Sequence, residues 1–120
     1  MSGLVSPRQP SILVVDDDPD VREILAETLL EFGYAVSQAA SGDEALVKLQ
    51  SSDNISMLIT DMRMPGMSGL ELAEKARSRR RDLRVILISG YFMPQPVGLR
   101  FLKKPFHMQE LASAVRAELE

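Results

Sequence analysis

Ile12-Leu13-Val14-Val15 is an unbroken apolar run that stops on three consecutive acids, Asp16, Asp17 and Asp18. A β-rich run without polar alternation belongs to a strand covered on both faces, the condition of a parallel sheet. Parallel strands cannot be joined by tight turns and need crossovers, so this run points to alternating strands and helices. The rest of the chain keeps that rhythm. Pro19 suits the first position of a helix with Asp18 as its N-cap, and Val21, Ile24, Leu25, Thr28, Leu29 and Phe32 recur at helical spacing up to a C-terminal Gly33. Tyr34 to Ala39 reads as a second strand, and Ser41 with Glu44 forms a capping box ahead of Ala45, Leu46 and Leu49.

Ile55 to Thr60 is a third strand, which ends at Asp61. After the loop from Met62 to Met67, Ser68 and Glu71 make a second capping box ahead of Leu72, Ala73 and Ala76. Val85 to Ser89 is a fourth strand, Arg100 to Lys103 a short fifth, and Gln109 to Leu119 a closing helix. The expected fold is α/β: a doubly wound, five-stranded parallel sheet with helices on both faces. One crossover breaks the pattern. Only residues 90 to 99 join strands four and five, with Pro94 and Pro96 among them, whereas a full crossover needs at least ~10–12 residues. The fourth helix is therefore expected to be short or absent, with a mobile loop from Tyr91 to Leu99 in its place.

The 120 residues fit one domain, with 45% hydrophobic and 26% charged residues as in an ordinary globule. No apolar run reaches the ~20 residues of a membrane span, and the opening MSGLVSPRQP is not patterned as a signal peptide. Zero cysteines exclude disulfides, thiolate metal sites and a cysteine nucleophile, and fit a reducing, cytoplasmic setting. The net charge of −3 argues against nucleic acid as the main partner. The basic run Arg77, Arg79, Arg80, Arg81 and Arg84 falls at a helix C-terminus without interleaved aromatics, and reads as a solvated face.

In an open parallel sheet, ligands bind beyond the carboxyl ends of the strands. Asp16 and Asp17 follow strand one, Asp61 ends strand three, Ser89 ends strand four, and strand five runs into Lys103-Lys104-Pro105. Gathered carboxylates repel one another unless a cation neutralises them, and hard oxygen ligands suit Mg²⁺. A cation beside a carboxylate, a hydroxyl and an ammonium makes a site for phosphoryl transfer.

Four fragments in order, VVDDDPDVRE from Val14, LITDMRMPGMSGLEL from Leu58, VILISG from Val85 and FLKKPF from Phe101, resemble the receiver domain of two-component response regulators. The resemblance runs from about Ile12 to Glu120 and implies the flavodoxin-like sheet order 2-1-3-4-5. It also implies roles. Asp61 resembles the phosphoacceptor, Asp17 the direct Mg²⁺ ligand, Asp16 its neighbour acting through water, and Arg63 the residue whose backbone carbonyl binds the metal. Lys104 resembles the lysine that pairs with Asp61 and then with the phosphoryl oxygens. Ser89 takes the position of the hydroxyl that follows the phosphoryl group, and Phe101 that of the switch aromatic. Pro105 shapes the loop that positions Lys104, with a cis bond as an option.

The implied function is phosphorelay signalling. Asp61 would accept a phosphoryl group from a histidine kinase or a histidine phosphotransfer protein, and Mg²⁺-dependent self-dephosphorylation would follow. That makes the chain a signalling receiver rather than an enzyme, with a downstream protein partner, no direct DNA binding and no membrane contact. The ISGY segment also resembles receivers attached to hybrid histidine kinases. The expected organisation is a flexible leader over residues 1–10 and a receiver over 11–120, either stand-alone or cut from a longer protein. Two alternatives stay open: a Mg²⁺-dependent aspartyl-phosphate phosphatase, disfavoured because Arg63 stands where its second Asp would be, and a non-phosphorylated interaction module. His107 reads as a cap or surface residue. Gly66 and Gly69 read as turn glycines, and the methionines as gap-fillers, with Met62 and Met64 open as part of a partner surface.

Overall fold

The apolar runs of the sequence become the strands of one sheet in the computed structural model, which describes residues 10–90 and 99–119. The elements in chain order are β1 (Ser11–Val15), α1 (Pro19–Glu31), β2 (Ala35–Ala39), α2 (Gly42–Ser51), β3 (Ile55–Asp61), α3 (Gly69–Arg79), β4 (Arg84–Ser89), β5 (Arg100–Lys103) and α4 (Met108–Leu119). All neighbouring strands are parallel, in the order β2-β1-β3-β4-β5. The expected sheet and its order are both present. The expected short or absent fourth helix with its loop over Tyr91 to Leu99, and the expected leader over residues 1–10, lie outside the described residues except at Leu99 and Pro10.

Local chemistry starts each helix where the sequence places it. Asp18 caps α1 by accepting from the N–H groups of Asp20 (2.9 Å) and Val21 (3.4 Å), ahead of Pro19 at the first helical position. Gly33 follows the C-cap Phe32 with φ 97°, a conformation open to glycine at little cost. Ser41 accepts from Glu44 N–H at 3.2 Å, and Glu44 returns to Ala40 N–H at 2.8 Å, one residue before the cap itself. Ser68 accepts from Glu71 N–H at 3.1 Å. His107 caps α4 through its main chain: its N–H donates to the Glu110 carboxylate at 3.0 Å, and its carbonyl accepts from Leu111 N–H at 3.2 Å.

Alternation along each strand divides the core in two. Ile12, Val14, Met57, Ile59, Ile86 and Ile88 face α1 and α4, where Leu25, Leu29, Leu111 and Val115 meet them. Leu13, Val15, Leu58, Val85 and Leu87 face α2 and α3, against Ala45, Leu49, Leu72, Ala73 and Ala76. Burying a side chain of this size contributes about 1.5–3 kcal/mol. A one-residue slip would exchange the two faces of a strand, so the packing holds the register. Register in turn places the last residue of every strand. Ile24, on the apolar stripe of α1, is 55% exposed, so that stripe is not buried throughout. Met62 and Met64 fill the α2–α3 core at 6% and 9% exposure, as the gap-filling reading expects, and the open option of a partner surface falls away.

Candidate functional site

Because β1 and β3 are adjacent with Val15 opposite Thr60, the acids that follow them meet at one edge. Carboxylate oxygens of Asp16, Asp17 and Asp61 all lie within 4.8 Å of one another, the only such acid group among the described residues. β4 lies beside β3 with Asp61 opposite Ile88, which puts Ser89 one residue beyond the row of Asp61. β5 pairs Lys103 with Ser89, and Lys104 N–H donates to the Ser89 carbonyl at 2.7 Å. That bond delivers the next side chain to the site: Lys104 Nζ lies 3.6 Å from Asp61 Oδ2. The Lys104–Pro105 peptide is cis.

The three acids differ in surroundings. Asp17 is exposed, Asp61 half-buried and Asp16 buried. Asp16 Oδ1 accepts from Asp18 N–H at 3.0 Å. Burial pushes the Asp16 carboxyl above its ordinary value, and the charges of Asp61 and Asp17 add to the rise; the Asp18 N–H and Lys104 oppose it. Asp61 Oδ1 accepts from Arg63 N–H at 3.4 Å, which turns the loop after β3 around the carboxylate. Ser89 is buried at the end of β4. Phe101 is half-buried, opposite Leu87 and packed on the α2–α3 core, on the face of the sheet that Ser89 shares.

The donor set suits a hard divalent cation: oxygen ligands only, formal charge of −3 from three carboxylates, and one of them destabilised as an anion by burial and by its neighbours. Asp16, Asp17, Asp61, Ser89 and Lys104, all expected in the site from the sequence, come together at this edge.

Two contributors were not expected there. Gly69, read as a turn glycine, opens α3 against the end of β3, where a Cβ would stand 2.0 Å from the Asp61 carbonyl oxygen. Its unusual place at the first helical position is the only signal in the sequence. Arg22 donates from Nη1 to the Asp16 carbonyl at 2.8 Å and from Nε to Gln38 Oε1 at 3.2 Å. Its partner is 16 residues away, so no local pattern reveals it.

A parallel sheet in this order, with an acid triad and a lysine at its carboxyl edge, defines a phosphoryl-accepting signalling domain. The chain belongs to the response regulator receiver domain family, whose model matches residues 12–116. It is 34% identical over 115 residues to the response regulator receiver protein CpdR of Brucella abortus, covering 90% of this chain and 95% of that protein. It is 41% identical over 117 residues to the C4-dicarboxylate transport transcriptional regulatory protein DctD of Rhizobium meliloti, covering 91% of this chain but only 25% of that protein. The response regulator TrrA of Thermotoga maritima, solved in complex with Mg²⁺-BeF, superposes with a TM-score of 0.84 at 37% identity, covering 92% of this chain and 99% of that one. TrrA has also been solved in complex with the histidine kinase ThkA, with a TM-score of 0.83 at 38% identity, covering 93% of this chain and 100% of that one. The chain is thus a receiver domain of phosphorelay signalling, a signalling protein rather than a conventional enzyme. Membership removes the phosphatase alternative. Among the described residues, no helix is long and apolar enough to cross a membrane.

Proposed function

We propose that Asp61 is the phosphoacceptor and that the site works with Mg²⁺. The observation that carries this is the Asp61 carboxylate, flanked by the Lys104 ammonium at 3.6 Å on one side and by Asp16 and Asp17 on the other. One Asp61 oxygen attacks the phosphorus of a phosphohistidine; the P–N bond breaks, and the imidazole leaves with the bonding pair and takes up a proton. The product is a mixed anhydride on Asp61. Lys104, released from the carboxylate oxygen it pairs with, is placed to hold a phosphoryl oxygen, and the Ser89 hydroxyl to donate to another. Hydrolysis reverses the state: water attacks phosphorus, the P–O bond to Asp61 breaks, and inorganic phosphate and the free carboxylate return.

Asp16, Asp17, Asp61 and the carbonyl of Arg63 would hold the ion, which supplies neutralising charge for the phosphoryl oxygens. Phe101 is the switch aromatic in this reading, packed where a movement near Ser89 reaches it. Asp61→Asn is expected to abolish labelling by a small-molecule phosphodonor in the presence of Mg²⁺; undiminished labelling would sink the assignment.

The phosphoryl donor is a histidine kinase or a histidine phosphotransfer protein. TrrA's complex with a kinase supports this partner class. A groove of about 530 Å³ beside Lys104, lined by Val21, Ile24, Leu25, Pro105, Phe106 and Met108, offers an apolar seat for a donor helix. Ile24→Asp is expected to slow transfer from a cognate kinase while small-molecule labelling stays unchanged. Equal loss of both rates would remove the groove from the reading.

A further inference from the structure

Asp16 is held at three points. Its N–H donates to the Ala39 carbonyl at 3.3 Å, its Oδ1 accepts from Asp18 N–H at 3.0 Å, and its own carbonyl accepts from Arg22 Nη1 at 2.8 Å. Only the last of these comes from another residue's side chain. Arg22 stands in the first turn of α1, where its N–H bonds the Asp18 carbonyl at 3.0 Å, and its Nε bonds Gln38 Oε1 on β2 at 3.2 Å. The Gln38 carbonyl in turn accepts from Lys48 Nζ on α2. A planar guanidinium can serve two acceptors at once in a fixed geometry, which an ammonium on a flexible stem cannot.

We infer that Arg22, braced by Gln38, is a positioning residue that sets the metal geometry of the acid cluster by pinning the main chain of Asp16. The inference rests on the reading of that cluster as a Mg²⁺ site. With Oδ1 already engaged by Asp18 N–H, the placement of the other Asp16 oxygen follows from where the Asp16 backbone is held. Mg²⁺ tolerates little departure from octahedral geometry, whereas Ca²⁺ accepts irregular shells. Loosening this brace therefore penalises Mg²⁺ more than Ca²⁺.

The sign of the effect separates positioning from simple charge. A guanidinium near a cation site repels the cation, so its removal by charge alone would tighten Mg²⁺ binding. Loss of an outer-shell brace acts the other way, typically by 10–100-fold in metal affinity. Mg²⁺ and Ca²⁺ titrations followed by amide NMR would be run on the wild-type chain, Arg22→Met, Arg22→Lys and Gln38→Met, with melting curves in EDTA. Expected are roughly tenfold weaker Mg²⁺ binding in Arg22→Met, a smaller loss of Ca²⁺, partial recovery in Arg22→Lys, and a change in the same direction in Gln38→Met, which leaves α1 intact. Unchanged or tighter Mg²⁺ binding in Arg22→Met overturns the inference, as does an equal loss of both ions that tracks a lowered melting temperature. A wild-type chain without a saturable Mg²⁺ response overturns the metal reading itself.

Discussion

Gly69→Ala tests the closest approach in the site. Gly69 opens α3, and its φ is not in the left-handed region, so what it supplies is space rather than backbone freedom. A Cβ there would meet the Asp61 carbonyl oxygen at 2.0 Å, the Asp61 carbonyl carbon at 2.8 Å and Met62 Cα at 2.9 Å. Real Cβ contacts stay beyond 3.0 Å, so α3 and the end of β3 must part by about an ångström. Both are held. Asp61 pairs with Ile88, Met62 N–H donates to the Ile88 carbonyl at 2.8 Å, and Gly69 N–H donates to the Met62 carbonyl at 2.9 Å. Overpacking of this kind costs about 1–3 kcal/mol, and loss of the Gly69 bond about 0.5–1.5 kcal/mol more. Alanine's better helix propensity returns at most ~1 kcal/mol.

The net expectation is a destabilisation of about 2–3 kcal/mol, or a melting temperature lower by roughly 8–12 °C in a domain of this size. Urea unfolding followed by far-UV circular dichroism measures it. Because the displaced atoms include the backbone of Asp61, one of the three clustered acids, Mg²⁺ affinity should fall as well. A Gly69→Ala chain as stable as wild type would refute the reasoning, because nothing but backbone stands in the path of the methyl group.

The other expectations are briefer. Gly66 sits at φ 76° with open space where a methyl group would stand, so Gly66→Ala should cost only the left-handed strain, about 1–2 kcal/mol by urea unfolding, and leave Mg²⁺ affinity nearly intact. Asp16 has its folded-state carboxyl raised, first by burial and further by Asp61. Its contribution to stability is complete below the ordinary value of 3.8 and is lost as pH rises through the folded value. Metal-free wild type should therefore lose stability from acidic towards neutral pH, and Asp16→Asn should flatten that slope in EDTA while weakening Mg²⁺ binding. Lys104→Met removes a positive charge 3.6 Å from Asp61, one that competes with the metal for that carboxylate. Mg²⁺ binding by titration should tighten by roughly fivefold, about 1 kcal/mol at this partly exposed position, while phosphoryl transfer to Asp61 slows.

Much of this protein is local chemistry and was legible as such. The caps Asp18, Ser41 and Ser68 act on backbone N–H groups two or three residues away, and an apolar run such as Ile12 to Val15 carries its own burial requirement. Strand ends, helix starts and the residue types waiting at the carboxyl edge follow from such short-range rules. The resemblance to receivers then supplied the sheet order, which short-range rules leave open.

Contacts between distant segments were decided only in three dimensions. Helical spacing marks Ile24 as apolar, but whether it enters the core depends on where α4 crosses; it stays on the rim of the groove that Met108 and Phe106 share. Met62 and Met64 flank the exposed Arg63, yet pack inward because α2 and α3 close over that side of the loop. Gly69 is a turn residue until α3 is laid against the Asp61 carbonyl, and Arg22 is one more surface arginine until β2 brings Gln38 beside it. The sequence by itself determined which elements form and which groups each strand presents, because those depend on neighbours along the chain. Tertiary structure decided how closely the groups approach and what braces them, because those distances are set by packing between segments that the chain order does not rank.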